Sequence, residues 1–396
     1  MPFSMLYIQE CAPPHLRGIA ANGFQFWAGV GSVIGSVVDN YAAKMPGKTG
    51  YQLCCALFVI LPVIIIASAP FVPESPRWLI AHGKHHESLH ALQRLRGTEY
   101  PEALIAAEFR EIKETWEIEE QMAHGANVLD MFRGIDLRRT CLAVAGACMQ
   151  NSSGAMFLLI YGTYFFEVAG SDEPFTDGII LSCTMLASSC IMFLVIRYLG
   201  RRTIMMLATL CQGFSMLIIA IVYTVAPTSQ AALKCLVGFI VIFIFFYGGF
   251  TAPVAWLWPG EIPSTRLRAY TLGLGTAVGF VLGVFPVLKG RTDIQWLVSY
   301  TTPFYINPLD LDWGPKYGYI WFPSNLITCA FVFFLMPETK DRTLEEIDEM
   351  FINKVPARKF KGYQCVVSQN AREHGVQILS EKGVLEQVDE QVEIVE

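Results

Sequence analysis

Few residues in this 396-residue chain combine a reactive side chain with a setting that could use it. No nucleophile stands in an evident pair with a base, no His, Cys or carboxylate group has metal-ligand spacing, and no glycine-rich phosphate loop is visible. An enzyme is therefore not expected, and neither a catalytic residue nor a metal site is assigned. What the sequence does offer is uncharged polar side chains inside long apolar runs: Gln25, Gln150 and Asn151, accompanied by Trp256, Tyr161 and Tyr164. A carboxamide both donates and accepts hydrogen bonds, and an aromatic ring adds a flat apolar face, so the set suits a neutral ligand rich in hydroxyls. The plainer alternative is hydrogen bonding between packed helices. A second set is charged and clusters at the ends of the apolar runs: Glu10, Arg17, Glu74, Arg77, Arg201, Arg202, Glu261, Arg268, Glu338 and Arg342. Charges so placed can pair with one another across helix ends, or simply snorkel to water.

The elements that must position these residues follow from composition. The chain is 53% hydrophobic and 16% charged, against roughly a quarter charged in soluble domains. Its mean hydropathy is +0.41. Runs free of Asp, Glu, Lys and Arg cover 19–38, 49–72, 140–166, 178–196, 203–233, 235–260, 269–288 and 317–336. About 20 such residues span the hydrocarbon of a bilayer, so the expectation is an all-α protein crossing a membrane several times, with the lipid bilayer as its partner. One long polar stretch, from Pro73 to Arg139, interrupts the pattern. Leu89, Leu92 and Leu95 recur in it at helical spacing, as do Leu104, Ala107, Ile112 and Trp116, while Gly97 and Pro101 divide it into short helices. It is rich in Lys and Arg, which places it on the cytoplasmic side and, by alternation, puts Arg197–Arg202, Arg266–Arg268 and the C-terminus there too. The net charge of −6 lies mostly in loops and in the acidic C-terminal end, and gives no reason to expect nucleic acid. The 11 cysteines are scattered, most within apolar runs, and read as small buried hydrophobes. Asn151-Ser152-Ser153 is a glycosylation sequon in form, silent inside a span. No cleavable leader is expected, because Met1 leads to Glu10 and Arg17 without an apolar core region. From about Tyr363 the sequence is polar and expected to be disordered.

Four motifs then carry a resemblance. Pro73-Glu74-Ser75-Pro76-Arg77-Trp78-Leu79 and Pro337-Glu338-Thr339-Lys340-Asp341-Arg342-Thr343-Leu344 resemble the signatures that follow the sixth and twelfth helices of the sugar porters of the major facilitator superfamily. Gly200-Arg201-Arg202 is similar to that family's basic loop after the eighth helix, and Trp258-Pro259-Gly260-Glu261-Ile262-Pro263 to the end of its tenth. The stretch from Thr301 to Trp321 and the segment Val355-Pro356-Ala357-Arg358-Lys359-Phe360 resemble fungal maltose-type (α-glucoside) proton symporters.

The resemblance implies a helical bundle in four parts: residues 1–72 as part of an N-terminal bundle, 73–136 as a cytoplasmic helical linker, 137–338 as a complete six-helix C-terminal bundle, and 339–396 as a cytoplasmic tail. It implies a monomeric plasma-membrane carrier that takes up a small sugar by alternating access, driven by a proton gradient and using no cofactor. A hexose carrier and a non-transporting sugar sensor on the same fold are the alternatives. By the same resemblance Gln25 matches a sugar-binding glutamine of the fifth helix, Gln150 and Asn151 the seventh-helix pair, and Trp256 the tenth-helix indole beneath the sugar. Tyr161 and Tyr164 are gate aromatics, and the ten charged residues above form the inner salt-bridge network that parts when the two halves rock. Met156 and Gly279 stand where relatives carry Asn, and Arg197 where many carry an acid. The alignment starts inside the fourth family helix, without the acid that couples protons on the first, so a chain of these residues alone is expected not to transport. Within 286–295, Lys289, Arg291 and Asp293 interrupt what should be a continuous eleventh helix, and a retained intron or a gene-model error is expected there in preference to an extracellular loop.

Overall fold

The computed structural model describes residues 7–8, 11–12, 17–97, 102–123, 128–168, 173–226, 229–264, 267–284, 314–340, 342 and 344–365. Glu10, Pro101, the 286–295 insert and the chain beyond Cys365 lie outside these. Every regular element among the described residues is helical.

Two membrane-length helices come first, α1 (Arg17–Ala43) and α2 (Thr49–Ser68). The linker follows as α3 (Pro76–Ala81), α4 (His85–Arg96) and α5 (Glu102–Ala123). Its first helix starts where the sequence supplies both a cap and a fixed φ: the Ser75 hydroxyl accepts from the Trp78 N–H, and Pro76 occupies the first turn. Gly97 at φ 78° ends α4. Buried Leu92 and Ile105 sit in the linker interior. Arg96 pairs with Glu108 at 2.5 Å and donates to the Cys11 carbonyl at 3.0 Å, while the Tyr7 hydroxyl donates to the Pro73 carbonyl at 2.7 Å. The linker is thereby tied to the start of the chain.

The second bundle opens with α6 (Gly134–Ser152), which begins three residues before the expected boundary and takes Arg138 and Arg139 into its first turns. Instead of one helix through Phe166 there are two, because Ser153-Gly154 separates α6 from α7 (Ala155–Val168). Then come α8 (Pro174–Tyr198), α9 (Arg201–Val225) and α10 (Gln230–Phe246). The last of these widens into a π turn over Tyr247–Thr251 and resumes as α11 (Ala252–Glu261). The bundle closes with α12 (Arg268–Val284) and α13 (Gly318–Leu335). Five stretches, Thr49–Phe71, Pro174–Tyr198, Arg201–Val225, Gln230–Glu261 and Gly314–Leu335, are long and apolar enough to cross a membrane.

Helix α9 packs on α10 and α13, α6 on α11 and α12, and α1 on α8. That last contact joins the two groups of spans. It is polar: Ser182 shares hydrogen bonds with Ser36 at 2.7 Å and Ser32 at 3.2 Å, and buried Asn22 donates to the Ser189 carbonyl at 3.1 Å. Helix α2 differs, with none of its apolar window buried.

The tail does not leave the bundle directly. Helix α14 (Leu344–Ile352) and a 3-10 turn (Ala357–Gly362) fold under it, and Ile347, Met350, Phe351 and Phe360 join Leu142, Ile196 and Trp258 in one buried cluster. Arg139 clamps this plate, paired with Asp348 and stacked 4.6 Å over the Phe351 ring. Order therefore extends through Tyr363 to Cys365, whose thiol is pushed up by burial and by the nearby Glu349 and Glu346 carboxylates.

Candidate functional site

Three helices carry the amides and the indole, and they meet: α11 packs against both α6 and α1. Gly146 permits the close approach of α6 to α11. A β-carbon there would lie 2.8 Å from the buried Trp258 ring and 2.9 Å from Pro259. Four residues on, one helical turn and the same face, stands Gln150.

Gln150 is half-buried, and its Nε2 donates to the Tyr247 hydroxyl at 2.8 Å. Asn151 donates from Nδ2 to the Gly279 carbonyl at 3.3 Å, so the glycine in place of a family asparagine contributes its backbone. Gln25, on α1, is 9% exposed. Trp256 is half-buried and packs beside the large buried cluster that includes the tail plate, as does Phe24, the neighbour of Gln25. Tyr161 and Tyr164 lie on α7, and their side chains are outside the described set.

Sequence reasoning missed three features that hold this region. Tyr247 is one, 2% exposed at the start of the π turn. Gln212 is the second: it is fully buried, and its Nε2 donates to the Thr251 hydroxyl at 2.6 Å, at the far end of the same turn. The third is the support of the Ser153-Gly154 break. Asn325 Nδ2 donates to the Ser153 carbonyl at 3.0 Å, and the Ser324 hydroxyl donates to the Ser152 carbonyl at 2.6 Å. Gly154 has φ 83° and presses on the Trp321 ring. The signal was present, since Gln212 and Asn325 are uncharged polar residues in apolar runs, the same criterion that singles out Gln25.

The charged set separates into distinct contacts. Arg201 approaches Glu261 at 3.8 Å, and the Thr339 hydroxyl donates to the same carboxylate at 2.6 Å. Among the described residues, Glu338 does not face a guanidinium head-on. Its two oxygens accept from the backbone N–H groups of Arg201 at 2.9 Å and Arg202 at 3.2 Å, capping the start of α9. Arg202 turns outward, donating to the Phe333 carbonyl at 2.5 Å. Arg342 pairs with Glu346 at 3.6 Å and donates to the carbonyls of Phe360 and Tyr363, so it holds the tail plate. Glu74 is exposed, and Arg77 and Arg268 are half-buried. Arg17 opens α1, with its side chain outside the described set.

A family profile described as "sugar (and other) transporter" matches residues 1–351. The chain belongs to this family. As a sugar-transporter family member it is an integral membrane protein, and its curated relatives are carriers, not enzymes. It is 31% identical over 365 residues to the general alpha-glucoside permease of Saccharomyces cerevisiae, covering 90% of this chain and 57% of the permease. It is 33% identical over 322 residues to a maltose permease of the same yeast, covering 79% and 50%, and 28% identical to a major facilitator-type transporter of Aspergillus rugulosus, covering 89% and 65%. The chain thus spans between half and two-thirds of the length of these relatives. Among solved structures it is similar to the proton:xylose symporter XylE bound to 6-bromo-6-deoxy-D-glucose, with a TM-score of 0.70 at 21% identity over 88% of this chain and 70% of that one. That likeness fixes the major facilitator fold.

Proposed function

We propose that the protein serves the proton-driven uptake of maltose-like α-glucosides, with the sugar held between Gln25 of α1 and Gln150, Asn151 and Trp256 of the second bundle. The observation that supports this reading is the packing of α11, which carries Trp256, against both α1 and α6, the helices that carry Gln25 and Gln150. An amide reads a hydroxyl as donor or acceptor, the indole covers an apolar sugar face, and a site between two groups of spans is exposed to each side in turn as they rock. The cytoplasmic charges, with Glu261, Glu338 and Arg201 at their centre, close the inner side. The plasma membrane, a cytoplasmic C-terminus and a monomeric carrier belong to the same proposal.

A hexose substrate is the second reading, supported by the 28% identity over 372 residues to a putative hexose transporter of Saccharomyces cerevisiae, covering 90% of this chain and 77% of that one. The test is uptake of labelled maltose and labelled glucose, with and without a protonophore, by cells that express the gene's complete product and lack their own carriers. Maltose accumulation abolished by the protonophore is the expected result. Glucose uptake without maltose uptake selects the hexose reading, and sugar binding without accumulation selects a receptor.

A further inference from the structure

We propose that Tyr247 is a positioning residue that acts through Gln150, holding its amide in either of two orientations so that one glutamine presents a donor or an acceptor to a sugar hydroxyl. The inference rests on the sugar-carrier reading above.

The geometry has three parts. The inner end of the Gln150 amide is engaged, with Nε2 2.8 Å from the Tyr247 oxygen, while Oε1 makes no hydrogen bond to another described residue and Gln150 remains half-exposed. Tyr247 itself is anchored. It is 2% exposed and begins the π turn, and the next two residues, Gly248 and Gly249, lie so close to Met185 and Ser188 of α8 that a β-carbon on either would overlap them. The far end of the turn is pinned by the buried Gln212–Thr251 bond. A π turn adds one residue to the helix and so re-aims the side chains on either side of it. Here it holds a phenol against the one amide that points from α6 toward α10.

The third part is the chemistry of the pair. A phenol oxygen accepts from an amide N–H, and a phenol O–H donates to an amide carbonyl. Turning the Gln150 amide by half a rotation therefore keeps its inner hydrogen bond and exchanges the atom offered to the ligand, Oε1 for Nε2. The Gln150 amide keeps a buried partner in either state. Phenylalanine at this position would keep the ring and remove the inner partner. The amide would then have to turn inward or stay unsatisfied, and its hold on the ligand would weaken for every sugar alike.

The test is a double-mutant cycle on the complete protein, read both as maltose uptake and as thermal melting of purified protein. Tyr247→Phe is expected to raise KM about three- to tenfold, the range for loss of one hydrogen bond, with kcat and membrane abundance retained. In a Gln150→Ala background the same change is expected to leave KM unaltered, because the residue through which it acts is gone. Deoxyfluoro analogues, which accept but do not donate, should be tolerated by the native pair and rejected by Gln150→Glu. Full additivity of the two KM effects, or native KM in Tyr247→Phe, would overturn the proposal. Coupling in melting with none in KM would also overturn it, assigning the bond to folding. Absence of any sugar uptake by the native protein would instead defeat the carrier reading, with melting still reporting whether the bond exists.

Discussion

Two spans beside the candidate site are irregular, and they are irregular in opposite ways. The α6–α7 span is broken outright: Gly154 enters the left-handed region, and the carbonyls of Ser152 and Ser153 lose their helical partners. The α10–α11 span stays helical and only widens, so its backbone bonds are retained within the π turn. The first irregularity leaves polar backbone inside an apolar bundle, where an unpaired group is costly, and it exists only because Ser324 and Asn325 of α13 supply donors. The second leaves little to repair, and its buried contacts with Gln150 and Gln212 direct side chains. A break of the first kind is thus a condition of folding, while the second tunes a site.

That contrast makes graded predictions. The largest effect belongs to Gly154→Ala: an L-residue at φ 83° and a β-carbon 2.5 Å from the Trp321 ring together cost about 2–5 kcal/mol, the sum of a left-handed residue and an overpacked core. Loss of the protein from the membrane fraction is the expected result, and native abundance would show that α7 can rotate away from Trp321. Next comes Asn325→Leu, which removes the donor to the Ser153 carbonyl and leaves a buried acceptor unsatisfied, at about 1–3 kcal/mol. A lowered melting temperature in detergent checks it, and uptake by the surviving protein should be near native. If the comparison holds, Gln212→Leu behaves the other way round. It removes one side-chain bond worth about 0.5–1.5 kcal/mol, leaves abundance almost intact, and appears as an altered KM, because Thr251 and the π turn are freed to shift. A melting defect larger than that of Asn325→Leu would erase the distinction between the two irregularities. The smallest effect is expected for Ser152→Ala. Its hydroxyl bonds Thr328 at 2.8 Å, but Thr328 also donates to the Ser324 carbonyl, so less than about 1 kcal/mol is lost and both readouts stay near native.

How much of this was legible depends on the range of the interaction. The spans could be read because a charge-free run of the right length is a local property, and so could the linker, whose Ser75 cap and Gly97 stop act on adjacent residues. The motif around Glu338 marked an important carboxylate, but not that it would bind backbone N–H groups where a guanidinium was expected. The break at Gly154 was invisible, since Ser-Ser-Gly within an apolar run continues a helix unless donors arrive from elsewhere, and these come from 172 residues away. The Gln150–Tyr247 bond spans 97 residues and the Arg139–Asp348 bond 209. The folded tail was a different kind of miss. Ile347, Met350 and Phe351 recur at helical spacing, a local apolar stripe that could have been read. Only its partner surface, made by residues of five other helices, was out of reach.

The cap on α9 also sets an order of events in biosynthesis. Glu338 is made 137 residues after Arg201, whose N–H it receives. At typical translation rates that is a delay of roughly 7–27 s. During this interval α9 has been synthesised while its first amides still lack this acceptor. A ribosome halted just before Pro337 would have produced every span of the second bundle, yet one helix end would stay open. The last turn of order at that end thus waits on a carboxylate synthesised after every span of the bundle.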